Sequence, residues 1–178
     1  LCAKNFVNEP FAVLLADELF LSEKPVLGEM IESYNKTGGN VILVKEEERQ
    51  KTKLYGVIEP EGARNGKNIK VKSMVEKPDP AKAPSNYCVT GRYIIDPSIF
   101  GYLENQAKGS GGEIQLTDAL NKMALDGFDT YGHIYEGKRY DCGSRRGFIQ
   151  ANMAFALANP EIKDDVRSMM IELLAQDK

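Results

Sequence analysis

The chain is poor in the residues that usually announce a chemistry. It has a single histidine, His133, in a strand-like run with no partner motif, which reads as a structural residue. Its three cysteines, Cys2, Cys88 and Cys142, are far apart and odd in number. They form neither a zinc-ligand spacing nor a disulfide framework. Free thiols of this kind point to a reducing, cytoplasmic setting. No GxSxG, P-loop or HExxH is present, so the hydrolase-nucleophile, nucleotide-loop and zinc-protease classes lose their main signals. No apolar run approaches the ~20 residues that span a bilayer, and no secretory pattern opens the chain. Neither sign of charge dominates, the net charge being −3 over 178 residues. The molecule as a whole therefore has no electrostatic reason to bind nucleic acid or an anionic membrane, and any anion site must be local. Internal repeats and low-complexity tracts are absent.

What is present is ordinary globular composition, 42% apolar and 28% charged, with strands and helices alternating. Phe11 to Leu15 reads as a buried strand that turns polar at Asp17. Leu27, Met30, Ile31 and Tyr34 recur at helical spacing, with Gly38-Gly39 as the stop. "NVILVK" is a second buried strand, and the charge run "EEERQKTK" after it reads as a solvated loop. "LYGVIEP" and "IKVKSMVEKP" read as strands joined by the long polar connection "EGARNGKN". "NYCVTGRYIID" and "DTYGHIYE" are further strands. "PSIFGYLEN", "EIQLTDALNKMAL", Phe148 to Leu157 and a segment ending near Gln176 are helices, and "KGSGG" is a flexible loop. The pattern predicts a three-layer α/β/α protein with a mixed, mostly parallel central sheet. It is read as one domain over 1–178, with C-terminal helices from about residue 144. The opening "LCAKN" reads as the interior of a longer protein.

Several residues stand out as candidates, each with a plainer alternative beside it. Asp17 follows a strand end, where it reads as a turn cap or as a ligand for a hard cation. In "VEKPD", Glu76 and Lys77 are adjacent, so a regular strand would aim them to opposite faces. Pro78 suggests that the strand ends or bulges there, which would bring both to one side. The plainer reading is an edge-strand charge pair. Gly56 and Gly91 interrupt strand-like sequence and mark bulges or close approach. In "GKRYDCGSRRG", Cys142 lies among cations that would lower a thiol pKa, but no second cysteine is near. Asp141 with Lys138, Arg139 and Arg145 suits a metal-bound phosphate better.

Taken in order, "LLADELF", "LYGVIEP", "VEKPDPAKAPSN", "VTGRYIID", "GGEIQLTDAL" and "GKRYDCG" resemble the bacterial UTP–glucose-1-phosphate uridylyltransferases, or UDP-glucose pyrophosphorylases. These belong to the sugar-nucleotidyltransferase superfamily, which also holds the glucose-1-phosphate thymidylyltransferases. "EIQLTDA" together with "DCG" favours the uridylyl branch. The resemblance implies a Rossmann-like nucleotide-diphospho-sugar transferase fold, incomplete at its N-terminal side, and transfer of a uridylyl group from UTP to glucose 1-phosphate. UDP-glucose and pyrophosphate would be the products. It implies Asp17 and Asp141 as Mg²⁺ ligands, Glu76 as the acid bonded to glucose hydroxyls, and Lys77 as the partner of the sugar phosphate. Tyr55, Gly56 and Val89 would line the sugar pocket, with Gly91 beside them. The family's GxGTRxxP segment is not in this chain, so the polypeptide alone is expected to be inactive, and the complete protein to be a homo-oligomer. Open alternatives are the same reaction with dTTP or mannose 1-phosphate, and a non-catalytic sugar-nucleotide-binding subunit.

Overall fold

The strand Asn40–Glu46 (β3) organises the fold, because its apolar run NVILV is buried on both faces. In a computed structural model describing residues 1–109 and 112–176 it lies inside a six-stranded sheet. The other strands are Phe11–Leu14 (β1), Gly56–Asn65 (β4), Asn68–Glu76 (β5), Tyr87–Ile95 (β6) and Thr130–Ile134 (β7). Their order is β1-β6-β3-β7-β5-β4, with a further β4–β6 contact at Val57 and Cys88. The sheet is mixed as expected, but its parallel share is small: β3–β7 is parallel and the other pairings are antiparallel. The reason is local. β4 and β5 form a hairpin, and β6 returns between β1 and β3.

Both faces of a strand such as β3 need cover. Ile42 and Val44 join a core with Ala119, Leu120 and Met123 of the helix Leu116–Leu125 (α3) and with Ile99 and Phe100 of the helix Ile99–Glu104 (α2). Val41 and Leu43 alternate to the opposite side, where the helix Val26–Thr37 (α1) buries Val26, Met30 and Ser33. The chain's helices thus cover both faces, in three layers. The buried stripe of α1 differs from the expected one, and Ile31 is exposed. Ser33 takes a core position because its hydroxyl donates to Asn68 Oδ1 and lies 3.1 Å from His133 Nδ1. Gly38 ends the helix in the left-handed conformation, φ 70°, that glycine adopts without penalty.

Three expectations are corrected. The strand β1 is not buried: it lies at the edge of this sheet and Leu14 is half-exposed. "EEERQKTK" is not a free loop but runs into a 3-10 helix, Arg49–Leu54. There Thr52 is fully buried, and the Arg49 guanidinium donates to the carbonyls of Pro80 (2.6 Å), Ala83 and Ser85. The connection "EGARNGKN" is mostly strand. The hairpin closes tightly at Gly66 and Lys67, with Asn65 opposite Asn68 and Gly66 at φ 60°. For "KGSGG", Ser110 and Gly111 lie outside the described residues.

Contacts gather the chain into two compact units. The first comprises Leu1–Leu15 and Lys24–Glu136 and contains the six-stranded sheet. The second comprises Ala16–Glu23 and Gly137–Lys178. It is built on a two-stranded antiparallel ribbon, Glu18–Leu21 (β2) with Lys138–Asp141 (β8), and on the helices Arg145–Ala158 (α4) and Lys163–Gln176 (α5). No helix among the described residues is long and apolar enough to cross a membrane.

His133 is buried, as a structural histidine should be, and burial holds its imidazole below the ordinary value of 6.5, with Lys67 adding to this and Glu29 opposing it. As pH falls through 6.5 the unfolded chain takes up a proton that the folded chain refuses. This contribution to stability is therefore complete above 6.5 and is lost as pH falls below it. Urea midpoints of the native protein and of His133→Phe, measured between about pH 7.5 and 5.5, should show a flatter pH dependence in the variant. Equal slopes would contradict the assignment.

Candidate functional site

In the first unit the candidate residues meet where β4 begins and β5 ends. Gly56 and Glu76 are register partners in this antiparallel pair. The strand stops at Glu76 because Lys77 adopts φ +47°, the only non-glycine residue with positive φ among those described. A left-handed conformation costs an L-residue roughly 1–2 kcal/mol, and such strain gathers at functional positions. The Lys77 N–H donates to the Tyr55 carbonyl at 3.0 Å, which pins the turn. The strand's alternation is broken as a result, and Lys77 Nζ lies 3.6 Å from Glu76 Oε1. Glu76 and Lys77 thus sit on the same side, as a strand end at Pro78 would require.

The space beside Gly56 is tight. A Cβ there would come 3.0 Å from Thr117 Oγ1 and 3.1 Å from Glu76 Oε2. Thr117, buried in the first turn of α3, therefore belongs to this wall; the "LTD" of "EIQLTDA" carried it in the sequence, but no chemical signal singled it out. The Asn121 side chain of α3 accepts the Met74 N–H at 2.7 Å and fixes the end of β5 beside it. Val89 is otherwise placed. It pairs with Val44, and its side chain is committed to the core. Gly91 takes φ 70° in mid-strand, and its carbonyl accepts the Leu15 N–H at 2.9 Å.

In the second unit, Asp17 precedes β2 and Asp141 ends β8. The Cys142 N–H donates to the Asp17 carbonyl at 2.7 Å, and the Gly143 N–H donates to Asp141 Oδ1 at 3.0 Å. A Cβ on Gly143 would lie 3.1 Å from both Asp141 Oδ1 and Asp17 Oδ2. The two carboxylates thus converge on the space beside Gly143. No group of three or more His, Cys, Asp or Glu that could hold a metal occurs among the described residues. Two carboxylates suit Mg²⁺, which keeps several waters and completes its shell with substrate phosphates. The residues present fit that ion.

Sequence reading missed the partner of this pair. Glu18 and Arg139 form a bidentate ion pair, Nε to Oε2 at 2.7 Å and Nη2 to Oε1 at 2.5 Å, with side chains 9% and 5% exposed. Arg139, expected among the cations facing phosphate, is spent on Glu18 instead. Burial raises the Glu18 carboxyl above its ordinary range, Arg139 opposes this, and the charges of Asp141 and Asp17 add to it. Removing one member of such a pair leaves a buried charge uncompensated, at about 3–5 kcal/mol. No signal in the sequence joins residues 121 positions apart.

The thiol reading fails. Burial pushes the Cys142 thiol up, and the charges of Asp141, Glu18 and Asp17 push it further. A site that raises the pKa keeps the thiol protonated and unreactive. Cys142 borders an apolar hollow of about 230 Å³ with Leu19, Phe148 and Phe155.

The chain belongs to the nucleotidyl transferase family, whose profile matches residues 1–157. Its relatives narrow the branch. It is 42% identical to the UTP–glucose-1-phosphate uridylyltransferase of Staphylococcus epidermidis over 96% of this chain and 59% of the relative. With the enzyme of the same name from Bacillus subtilis it shares 42% over 99% of this chain and 60% of the relative. Among solved structures, a UDP-glucose pyrophosphorylase complexed with UDP-glucose superposes with a TM-score of 0.82 at 39% identity, covering 88% of this chain and 60% of that one. A UTP-bound UGPase from Acinetobacter baumannii gives 0.84 at 34% identity, covering 97% and 60%. The chain spans about 60% of the length of these relatives. The expected nucleotide-diphospho-sugar transferase fold and uridylyl branch accord with these matches.

Two substitutions test the local geometry. Gly147 lies in the first turn of α4, where a Cβ would sit 1.8 Å from the Asp141 carbonyl oxygen. Gly147→Ala must displace that backbone and should cost about 1–3 kcal/mol, read as a lower thermal midpoint. Lys77→Gly relieves a left-handed residue and should leave stability within about 1 kcal/mol of the native value. A Gly147→Ala variant as stable as the native protein would contradict the first, and a strongly destabilised Lys77→Gly the second.

Proposed function

We propose that this chain carries the metal and sugar-phosphate part of the site of a UTP–glucose-1-phosphate uridylyltransferase, acting with Mg²⁺ in the cytoplasm. In the reaction a phosphate oxygen of glucose 1-phosphate attacks the α-phosphorus of UTP, and pyrophosphate leaves. The observation that carries the reading is the Glu76–Lys77 turn, in which a strained backbone sets an acid and an ammonium side by side against Gly56. A carboxylate accepts hydrogen bonds from sugar hydroxyls, and a lysine ammonium is a compact partner for phosphate. The names of the relatives support the substrates, and three free cysteines suit a reducing compartment.

The division of labour follows from charge. Lys77 would hold and align the attacking phosphate, Glu76 would orient the sugar, and Asp17 with Asp141 would hold the cation. Bound Mg²⁺ supplies neutralisation of charge on the triphosphate and its leaving group. Nucleotidyl transfer needs positioning and charge stabilisation rather than a covalent nucleophile. We further propose a homo-oligomer for the complete protein. The exposed Met169, Ile171, Leu173 and Leu174 of α5 are compatible with such contacts.

In the complete protein, Asp17→Asn and Asp141→Asn should each lower kcat by about 10²–10³-fold, the loss typical of removing one preorganised electrostatic group. Lys77→Ala should also raise the KM for glucose 1-phosphate. Cys142→Ser should stay within about threefold of the native rate, since the thiol has no part in positioning. Turnover near the native rate in either Asp variant at saturating Mg²⁺ would contradict the metal assignment. Loss of activity in Cys142→Ser would contradict the absence of a nucleophile.

A further inference from the structure

The aspartates assigned to the metal sit on a ribbon too small to hold them unaided. β2 and β8 have four residues each and, among the described residues, pair only with one another, and an isolated two-stranded ribbon is marginal in water. Its register sets Glu18 opposite Asp141 and Phe20 opposite Arg139. Residues two apart in a strand share a face, so Glu18, Arg139 and Asp141 lie on the same face, with Asp17 one residue before Glu18. The guanidinium fork crosses the ribbon diagonally and binds both oxygens of Glu18, at 2.7 and 2.5 Å. The Cys142 N–H to the Asp17 carbonyl, 2.7 Å, adds a rung at the same end. Together these fix the spacing and twist of the strands where the two aspartates emerge.

Charge leads to the same conclusion. Asp17, Glu18 and Asp141 bring three carboxylates to one end of the ribbon. Arg139 neutralises the middle one, so the remaining pair can turn to a cation without a third anion competing for it. A lysine in its place would give a point charge and lose the planar fork that sets the strand spacing. With a side chain 5% exposed and its Nε and Nη2 spent on Glu18, Arg139 serves another protein residue in place of a phosphate.

We infer that Glu18 and Arg139 are positioning residues, whose ion pair holds Asp17 and Asp141 in the geometry that binds the divalent cation. This rests on the metal reading above. It is tested on the complete protein with Mn²⁺ as the probe. The free-ion EPR signal reports binding, and a thermal midpoint is recorded for each variant. Glu18→Gln and Arg139→Met should each weaken Mn²⁺ binding by about 10–100-fold, the usual effect of removing a residue that orients a metal ligand. The double variant should bind no more weakly than the worse single, because the pair acts as one unit. Arg139→Lys should fall between native and Arg139→Met. In turnover, the Mg²⁺ concentration at half-maximal rate should rise while kcat recovers at saturating Mg²⁺, a split that general loss of folded protein would not give. If Arg139→Met fails to fold, Glu18→Gln and Arg139→Lys carry the same comparison. The inference is overturned if the pair variants bind Mn²⁺ within about twofold of native while Asp141→Asn loses it, or if the single losses multiply in the double variant. If Asp141→Asn itself binds like the native protein, the metal reading fails and the positioning role fails with it.

Discussion

The fold depends on the burial of β3 on both faces. A strand with no solvent-facing side needs cover above and below, and this chain supplies α1 on one face and α2 with α3 on the other. That requirement fixes where α3 lies, and α3 in turn sets the site. Its Asn121 holds the end of β5, and its Thr117 crowds the space beside Gly56. The Glu76–Lys77 turn is therefore a consequence of core packing as much as of its own residues. A residue at φ +47° persists when its surroundings hold it, and here the Tyr55 carbonyl accepts the Lys77 N–H.

The second unit solves a different problem with different means. It has no large core to hold its acids, and most of α5 is exposed. Order comes from polar contacts: the Glu18–Arg139 fork, the Cys142 rung, and the Ser144 hydroxyl, which accepts the Gly147 N–H at 3.0 Å to start α4. Buried ion pairs are poor sources of net stability and are best attested as devices that fix register. In this ribbon the residues that need a fixed register are also the candidate metal ligands.

Much of this was legible in the sequence, and the misses have physical causes. Long apolar or periodic segments such as "NVILVK", "NYCVTGRYIID" and "EIQLTDALNKMAL" carried their secondary structure openly. The ribbon strands did not, because "ELFL" and "KRYD" are four residues long and carry no period that a short window can resolve. "EGARNGKN" looked like a loop since it is rich in polar and turn residues, yet its Gly66-Lys67 makes a two-residue hairpin turn. Among candidate residues, those in short local motifs stood out: Glu76 with Lys77, and Asp141 within its glycine-flanked motif. Glu18 and Thr117 did not, and Arg139 stood out only as a cation for phosphate, because each acquires its place from a distant partner.

We propose that one end of β4 and β5 receives a sugar phosphate and that the tip of the β2–β8 ribbon receives a divalent cation. The most direct measurement is an amide NMR titration of this chain with glucose 1-phosphate, first without and then with Mg²⁺. The account predicts shifts at Tyr55, Gly56, Glu76 and Lys77 with the sugar phosphate, and further shifts at Asp17, Cys142 and Gly143 only when Mg²⁺ is added. Shifts clustered elsewhere on the chain, or a Mg²⁺ response that leaves Asp17 and Gly143 unmoved, would contradict it.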